Sequence, residues 1–281
     1  HIRLPGVTKN PDGSYASETL GLDIDETTDL RAGLIKSTAM HFKPDILIVD
    51  KEPTGFRGEL IPALDWLRSQ SQAQIVLGLR DVLDEPKVLA VEWERKGAIE
   101  TAEKYYDEAW VYGLRSIHDP TAGLDLSPAF RARMKYTGYL HREELNEGVV
   151  PHEDYILITP GGGGDGEGMV NLVLSAYEQD HDLQPNAKLV YGPFLSGEKR
   201  VEFEARVEAL NGRVESIGFE SRIENLMAGA MGIVSMGGYN TFCEILTFDK
   251  PALVVPRTVP RMEQFIRADR AQDLGLLRML A

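Results

Sequence analysis

Short apolar runs of strand-like composition alternate along this chain with longer segments of helical periodicity. In the first half, strands are predicted at 45–49, 74–79, 108–112 and 136–140. The segment 27–42 has one apolar helical face, formed by Leu30, Leu34, Ile35 and Phe42. This alternation is typical of βαβ units, so it predicts an α/β fold with a parallel sheet.

The second half repeats the alternation more regularly. Strands are predicted at 155–159, 188–191, 214–217, 232–235 and 251–255. Helices are predicted at 169–179, 197–210, 221–230, 241–248 and 261–273. For the helix at 221–230, Ser221 and Glu224 match a capping box. An apolar stripe then follows at Ile223, Leu226, Met227 and Ala230.

The segment 141–154 separates the two halves, and it is polar, contains a glycine and a proline, and lacks periodicity. Such a segment is typical of a linker. We therefore predict a first domain at 1–140, a linker at 141–154 and a second domain at 155–281. Residues 1–5 resemble the tail of a strand, and no closing element follows the last helix. We expect a longer protein whose first domain is incomplete at its amino end and whose second is truncated.

Composition and charge narrow the classes of partner. Hydrophobic residues are 43% and charged residues 26% of the 281, as in soluble globular chains. With 30 basic and 44 acidic residues, the net charge of −14 disfavours nucleic acid and anionic membrane surfaces. No apolar stretch approaches the roughly 20 residues of a membrane span. The single Cys243 and the lack of a recognisable leader predict a cytoplasmic location.

The strongest local signal is a glycine cluster between a predicted strand and a predicted helix: Gly161, Gly162, Gly163 and Gly164. Glycine backbone can approach a ligand closely, and a helix start offers N–H groups to an anion such as a diphosphate. A mobile turn is the alternative interpretation. Asp165 and Glu167 count against a phosphate, because carboxylates repel a second anion. The spacing matches neither a P-loop nor a dinucleotide fingerprint.

Polar residues also follow two other predicted strands. One turn contains Gly237, Gly238, Asn240 and Thr241. Glu244 lies three residues later, where it can either bind ribose hydroxyls or complete a capping box with Thr241. Glu263 and Gln264 open the last helix, where they can either contact sugar hydroxyls or form a solvated first turn. Open α/β sheets bind ligands at the carboxyl ends of their strands, which favours the ligand interpretation of the two glycine-rich turns. For Glu263 and Gln264, the solvated first turn is the default interpretation.

Three stretches, in order, resemble the donor half of the GT-B glycosyltransferases, and most closely the branch of the peptidoglycan transferase MurG. They are 237–244 (GGYNTFCE), 250–256 (KPALVVP), and Glu263 with Gln264 ahead of Arg267. The resemblance implies two doubly wound Rossmann-like domains facing a cleft. It also implies metal-independent transfer of a hexosyl or N-acetylhexosaminyl group from a nucleoside diphosphate sugar, with UDP as carrier, to an unknown acceptor. No cofactor is implied.

The same resemblance implies roles for individual residues. Glu244 matches the acid that holds the donor ribose, and Glu263 and Gln264 match the pair that reads the donor sugar. Phe219 matches a position beside the base, and the four consecutive glycines match the loop near the diphosphate. Arg142 matches a linker arginine that faces the diphosphate.

The chain departs from the family pattern at two positions and lacks an assignable catalytic base. Arg267 stands where the family has Asn, and Asp249 stands where the family often has Gly. We expect Asp249 to take the same left-handed turn at some cost. Asp50, Arg80 and Asp81 follow first-half strands and are candidates for the acceptor side. For Asp81, structural pairing with Arg80 is the favoured alternative.

Two other functions remain open at this point. A nucleotide-sugar epimerase or hydrolase shares the architecture and acts without an acceptor. A non-catalytic module would bind a sugar nucleotide and depend on a partner for activity.

Overall fold

The computed structural model describes residues 1–9, 14–18, 21–141, 154–161, 165–192 and 195–280. The chain divides into two compact units. Unit one consists of His1–Tyr112 and Pro120–Thr137, and unit two consists of Gly113–Asp119 and Gly138–Ala281. Residues 142–153 of the predicted linker lie outside the described part of the chain, so the domain boundaries stay predictions.

Unit one contains a small antiparallel pair and a parallel sheet. The pair is formed by β1 (Val7–Lys9) and β2 (Tyr15–Ser17). The sheet has the consecutive order β3 (Ile46–Asp50), β4 (Gln74–Arg80), β5 (Glu108–Tyr112) and β6 (Met134–Tyr136). Its helices are α1 (Ile24–Phe42), α2 (Ile61–Gln70), α3 (Pro86–Arg95), α4 (Ala98–Tyr105) and α5 (Pro128–Arg131), with a 3₁₀ turn at Phe56–Gly58. Consecutive order is that of one half of a doubly wound sheet.

Unit two is a six-stranded parallel sheet. Its strands are β7 (Tyr155–Thr159), β8 (Asn186–Val190), β9 (Val214–Ile217), β10 (Gly232–Ser235), β11 (Ala252–Val254) and β12 (Arg278–Met279). Its helices are α6 (Glu167–Gln179), α7 (Gly197–Ala209), α8 (Ile223–Gly229), α9 (Tyr239–Thr247) and α10 (Glu263–Asp273). The spatial order is β12-β11-β10-β7-β8-β9. Counted within the unit this is the doubly wound order 3-2-1-4-5-6, with its switch point between β7 and β10.

Each unit has its own hydrophobic core. In unit one, the neighbouring residues Val76 and Leu77 of β4 are both fully buried. In unit two, Leu157 and Ile158 of β7 are buried in the same way. Consecutive buried residues mean that both faces of these strands are covered, as in a parallel sheet between helices. No helix in the described ranges is long and apolar enough to cross a membrane.

The structure corrects several local predictions. Residues 1–6 form no strand, and β1 begins only at Val7. The predicted capping box at Ser221 is wrong, because α8 begins at Ile223 after Arg222 and has no side-chain cap. The apolar stripe of α8 is confirmed, since Met227 and Ala230 are buried in the core of unit two. The short strand β12 was missed, because two residues are too few to show a period.

Candidate functional site

The helices that follow β7, β10 and β11 all begin without a side-chain cap. Their N-cap residues are Gly166, Gly238 and Met262, and none accepts a hydrogen bond from the first turn. By contrast, Ser196 caps α7 by accepting a hydrogen bond from the backbone N–H of Lys199. The first-turn N–H groups of a helix without a side-chain cap can donate hydrogen bonds to an anion. Of the three helices, only α9 has no acidic residue in its first turn, so its start suits an anion best.

Glycines allow the strand ends of unit two to approach each other closely. Gly161, directly after β7, has a φ of +82°, and a Cβ added there would lie 3.7 Å from the Thr241 hydroxyl oxygen. A Cβ added at Gly192, after β8, would lie 2.5 Å from the carbonyl oxygen of Gly161. The structure therefore brings the predicted residues Gly161 and Thr241 together at the switch point. Gly162, Gly163, Gly164 and Arg142 lie outside the described residues, and their roles stay predictions.

The turn after β10 depends on Gly237 and on a buried arginine. Gly237 has a φ of +74°, and an added Cβ would lie 2.6 Å from Val254 Cγ1. Arg267 is only 1% exposed, and its Nη1 donates a 3.0 Å hydrogen bond to the carbonyl oxygen of Gly237. Its guanidinium carbon also lies 5.7 Å from the centre of the Tyr239 ring. Arg267, which departs from the family pattern, therefore stabilises the turn at Gly237 that precedes α9.

Replacing Gly237 by alanine is expected to lower the free energy of unfolding of unit two by about 1–2 kcal/mol. The cost comes from the left-handed backbone and from the overlap with Val254. Chemical denaturation followed by circular dichroism measures it. The matched control is Gly168→Ala, because Gly168 lies in α6 with open space around its Cβ position. Gly168→Ala should leave the free energy of unfolding unchanged or raise it by up to about 1 kcal/mol. Equal losses in both variants would show that the turn does not require glycine at position 237.

Glu244 lies inside α9 and not at its start. The helix begins at Tyr239, so Glu244 is its sixth residue, and the capping-box alternative with Thr241 is wrong. Glu244 is 7% exposed. It is three residues from Thr241 and therefore on the same helical face, one turn further along. A carboxylate so placed is suited to accept hydrogen bonds from ligand hydroxyls.

Arg257, to which the sequence assigned no role, connects two elements at this edge. It follows β11, and its Nη1 donates a hydrogen bond to Asp165, which precedes α6. Its Nη2 donates to Glu263 Oε1 at 2.8 Å, and its backbone N–H donates to Gln264 Oε1 at 3.1 Å. Burial lowers the pKa of Arg257, but the bonds to the two carboxylates raise it more, so the net shift is upward. The guanidinium therefore stays charged.

The structure confirms that Glu263 and Gln264 open α10. Gln264 is buried, which argues against a merely solvated first turn, and its Nε2 lies 4.0 Å from the Cβ position of Gly238. Gly238 and Asn240 flank the start of α9, with Asn240 exposed. Phe219 is 64% exposed and follows β9, which is separated from β7 by β8.

Three buried side-chain atoms near these strand ends have no hydrogen-bond partner within the described residues: Ser235 Oγ, Arg257 Nε and Glu263 Oε2. Ser235 is the last residue of β10, Arg257 follows β11, and Glu263 begins α10. Buried polar atoms without partners are uncommon in folded proteins and call for an explanation. A polar ligand bound at this edge would give all three atoms a hydrogen-bond partner.

In unit one, the predicted acceptor-side residues have different environments. Asp50 is exposed at the end of β3, and Arg80 Nη2 lies 3.9 Å from its Oδ2. The Tyr112 hydroxyl covers Gly78, and burial together with the Asp50 charge raises the pKa of Tyr112. Asp81 is fully buried, and its Oδ1 accepts the backbone N–H of Val82 at 2.7 Å. The burial of Asp81 favours a structural role.

Among the described residues, no group of three or more His, Cys, Asp and Glu side chains is placed to hold a metal ion.

Comparison with known proteins links both the sequence and the fold to glycosyltransferases. Residues 156–279 match the model of the glycosyltransferase family 28 C-terminal domain. A search of the curated proteins finds no match to this chain. Many solved structures are similar to it.

Three of these structures illustrate the likeness. The glycotransferase of kitacinnamycin is 15% identical, with a TM-score of 0.58, over 93% of this chain and 71% of that one. MurG of Acinetobacter baumannii is 13% identical, with a TM-score of 0.58, over 93% of this chain and 68% of that one. A UDP-N-acetylglucosamine 2-epimerase is 17% identical, with a TM-score of 0.58, over 92% of this chain and 66% of that one. These likenesses show that the fold is GT-B, with Rossmann-like α/β domains. The matched family model supports a glycosyltransferase.

Proposed function

We propose that this protein is a glycosyltransferase whose donor site is the carboxyl edge of the unit-two sheet. The observation that carries the proposal is that uncapped helix starts and unpartnered buried polar atoms lie along one edge of the sheet, at its switch point and at the neighbouring strand β11. Ligands of doubly wound sheets bind at this point. The match of residues 156–279 to a glycosyltransferase domain supports the same assignment.

The diphosphate, the ribose and the sugar of a nucleoside diphosphate sugar each have a suitable partner at this edge. The diphosphate binds the first-turn N–H groups of α9 and the backbone at Gly161, where glycine permits close approach. The ribose hydroxyls donate to Glu244, and the sugar hydroxyls contact Glu263 and Gln264. The carrier is UDP and the sugar a hexose or N-acetylhexosamine, as in the MurG-like branch that the motifs resemble.

The proposed reaction is a direct displacement at the anomeric carbon. An acceptor hydroxyl attacks that carbon, the bond to the diphosphate oxygen breaks, and the acceptor proton passes to a base that we do not assign. The N–H groups at the start of α9 stabilise the negative charge that develops on the departing diphosphate. Asp50 and Arg80 are proposed to contact the acceptor. The proposal includes no cofactor and no metal.

Product analysis separates transfer from the alternative activities. UDP-N-acetylglucosamine is incubated with the protein, with and without a mixture of alcohol acceptors, and followed by proton NMR. A transferase releases UDP in step with a new glycoside, and only when acceptor is present. An epimerase is the second candidate function, and the structural likeness to a UDP-N-acetylglucosamine 2-epimerase supports it. An epimerase would change the configuration of the sugar in the absence of acceptor. Free sugar would indicate a hydrolase, and binding without turnover a module that requires a partner.

A further inference from the structure

Arg257 holds two carboxylates that come from different parts of the sequence. Asp165 is 92 residues before it and Glu263 is six residues after it. One guanidinium thus joins the segment before α6 to the first residue of α10. The planar guanidinium of arginine holds its five N–H groups in fixed directions, so it can bond to both carboxylates and still direct Nε–H toward a ligand.

The pair formed by Arg257 and Glu263 is incompletely hydrogen-bonded. Glu263 uses Oε1 to accept from Arg257 Nη2, while its Oε2 has no partner in the described ranges. Arg257 Nε, a donor, is likewise without a partner there. One ion pair therefore carries an unused acceptor and an unused donor. A hydroxyl group satisfies both, because its oxygen accepts one hydrogen bond while its proton is donated to another acceptor.

Arg257 also changes the charge that an anionic donor meets. In the sequence, the carboxylates of Asp165 and Glu167 count against a phosphate at this place. In the structure the Asp165 carboxylate is paired with Arg257, as is that of Glu263. Without the guanidinium, two uncompensated negative charges would lie at the proposed diphosphate edge and repel the ligand.

We propose that Arg257 is a sugar-selecting residue of the donor site, where Arg257 Nε–H donates to a hydroxyl of the donor sugar and Glu263 Oε2 accepts that hydroxyl's proton. A second effect of Arg257 is to neutralise Asp165, so that the diphosphate can approach. The inference rests on the proposed function and names the chemical group that this part of the site recognises, a neutral hydroxyl.

The test compares binding of UDP, UDP-glucose and UDP-glucose deoxygenated at position 3, 4 or 6, by calorimetry. In the wild type, loss of the recognised hydroxyl should weaken binding about tenfold. Arg257→Lys keeps a positive charge but loses the fork. We expect it to weaken UDP-glucose about tenfold, to leave UDP within about twofold, and to respond equally to all the deoxy sugars. Arg257→Gln should weaken UDP as well, and less so at high salt.

The control is Arg206→Lys, because Arg206 makes a similar fork to Glu178 between α6 and α7, with hydrogen bonds of 2.7 and 2.9 Å. It should bind every probe as the wild type does. If Arg257→Lys does not fold, Glu263→Gln tests the same pair, and it should weaken UDP-glucose without weakening UDP. If Arg257→Lys binds UDP and UDP-glucose as tightly as the wild type and still discriminates among the deoxy sugars, Arg257 does not select the sugar. That result would leave the proposed function standing. A wild type that binds neither probe would overturn the proposed function and this inference together.

Discussion

Replacing Arg267 by alanine is expected to lower the free energy of unfolding of unit two by about 3–4 kcal/mol. The side chain is fully buried, so its removal leaves a cavity and also deprives the carbonyl oxygen of Gly237 of a donor. Contact with the Tyr239 ring is lost as well. All three tryptophans belong to unit one, so their fluorescence follows unit one alone. Far-ultraviolet circular dichroism during urea denaturation follows the helices of both units, and the transition that fluorescence does not show belongs to unit two.

Arg270 supplies the control on the same helix. It is exposed, and its ion pair with Asp273 has a length of 3.6 Å. Arg270→Ala should change the stability by no more than about 0.5 kcal/mol, since exposed ion pairs contribute little. An Arg267→Ala protein as stable as Arg270→Ala would show that the buried guanidinium does not support the turn at Gly237.

Glu244→Gln should weaken the binding of UDP about 10- to 100-fold while leaving the protein folded. The carboxylate is proposed to accept two ribose hydroxyl protons, and charge-assisted hydrogen bonds of this kind contribute about 1.5–3 kcal/mol. The amide keeps the shape but loses the charge and one acceptor oxygen. Calorimetric titration of UDP into both proteins measures the difference.

Glu215→Gln is the control for that substitution, because Glu215 is an exposed residue of β9 in the same sheet. It should bind UDP as the wild type does. A 2′,3′-dideoxy ribose analogue should bind wild type and Glu244→Gln about equally, since the hydroxyls in question are absent. If UDP itself binds both proteins equally, Glu244 does not hold the ribose.

The fold could be predicted from the sequence wherever several apolar residues repeat with one period. Strands β7, β9 and β10 have the predicted bounds, and β8 begins two residues earlier than predicted. Helix starts were less predictable, because they depend on backbone conformation more than on hydrophobic pattern. Gly238, the N-cap of α9, has non-helical backbone angles (φ −56°, ψ 154°), so the helix starts at Tyr239. Asp249 does adopt the expected left-handed conformation, with a φ of 48°.

The site could be predicted only in part, for a similar reason. Glycines after strands are visible in sequence, so Gly161 and Gly237 were found. The ion pair between Asp165 and Arg257 joins distant segments, and no local pattern indicates it. The burial of Arg267 was equally hidden, because an arginine in an amphipathic helix is normally exposed. Parallel β7, β10 and β11 end at the same edge of the sheet, which brings Asp165 to Arg257 and the turn at Gly237 to Arg267.

A crystal structure of the protein with bound UDP tests the central claim most directly. We expect density for the diphosphate at the first turn of α9, beside Gly161, and ribose oxygens within hydrogen-bonding distance of Glu244. Helix α9 would then supply both phosphate and ribose contacts from residues less than two turns apart. UDP bound at any other place, or saturating UDP that leaves the edge formed by β7, β10 and β11 empty, would contradict the account.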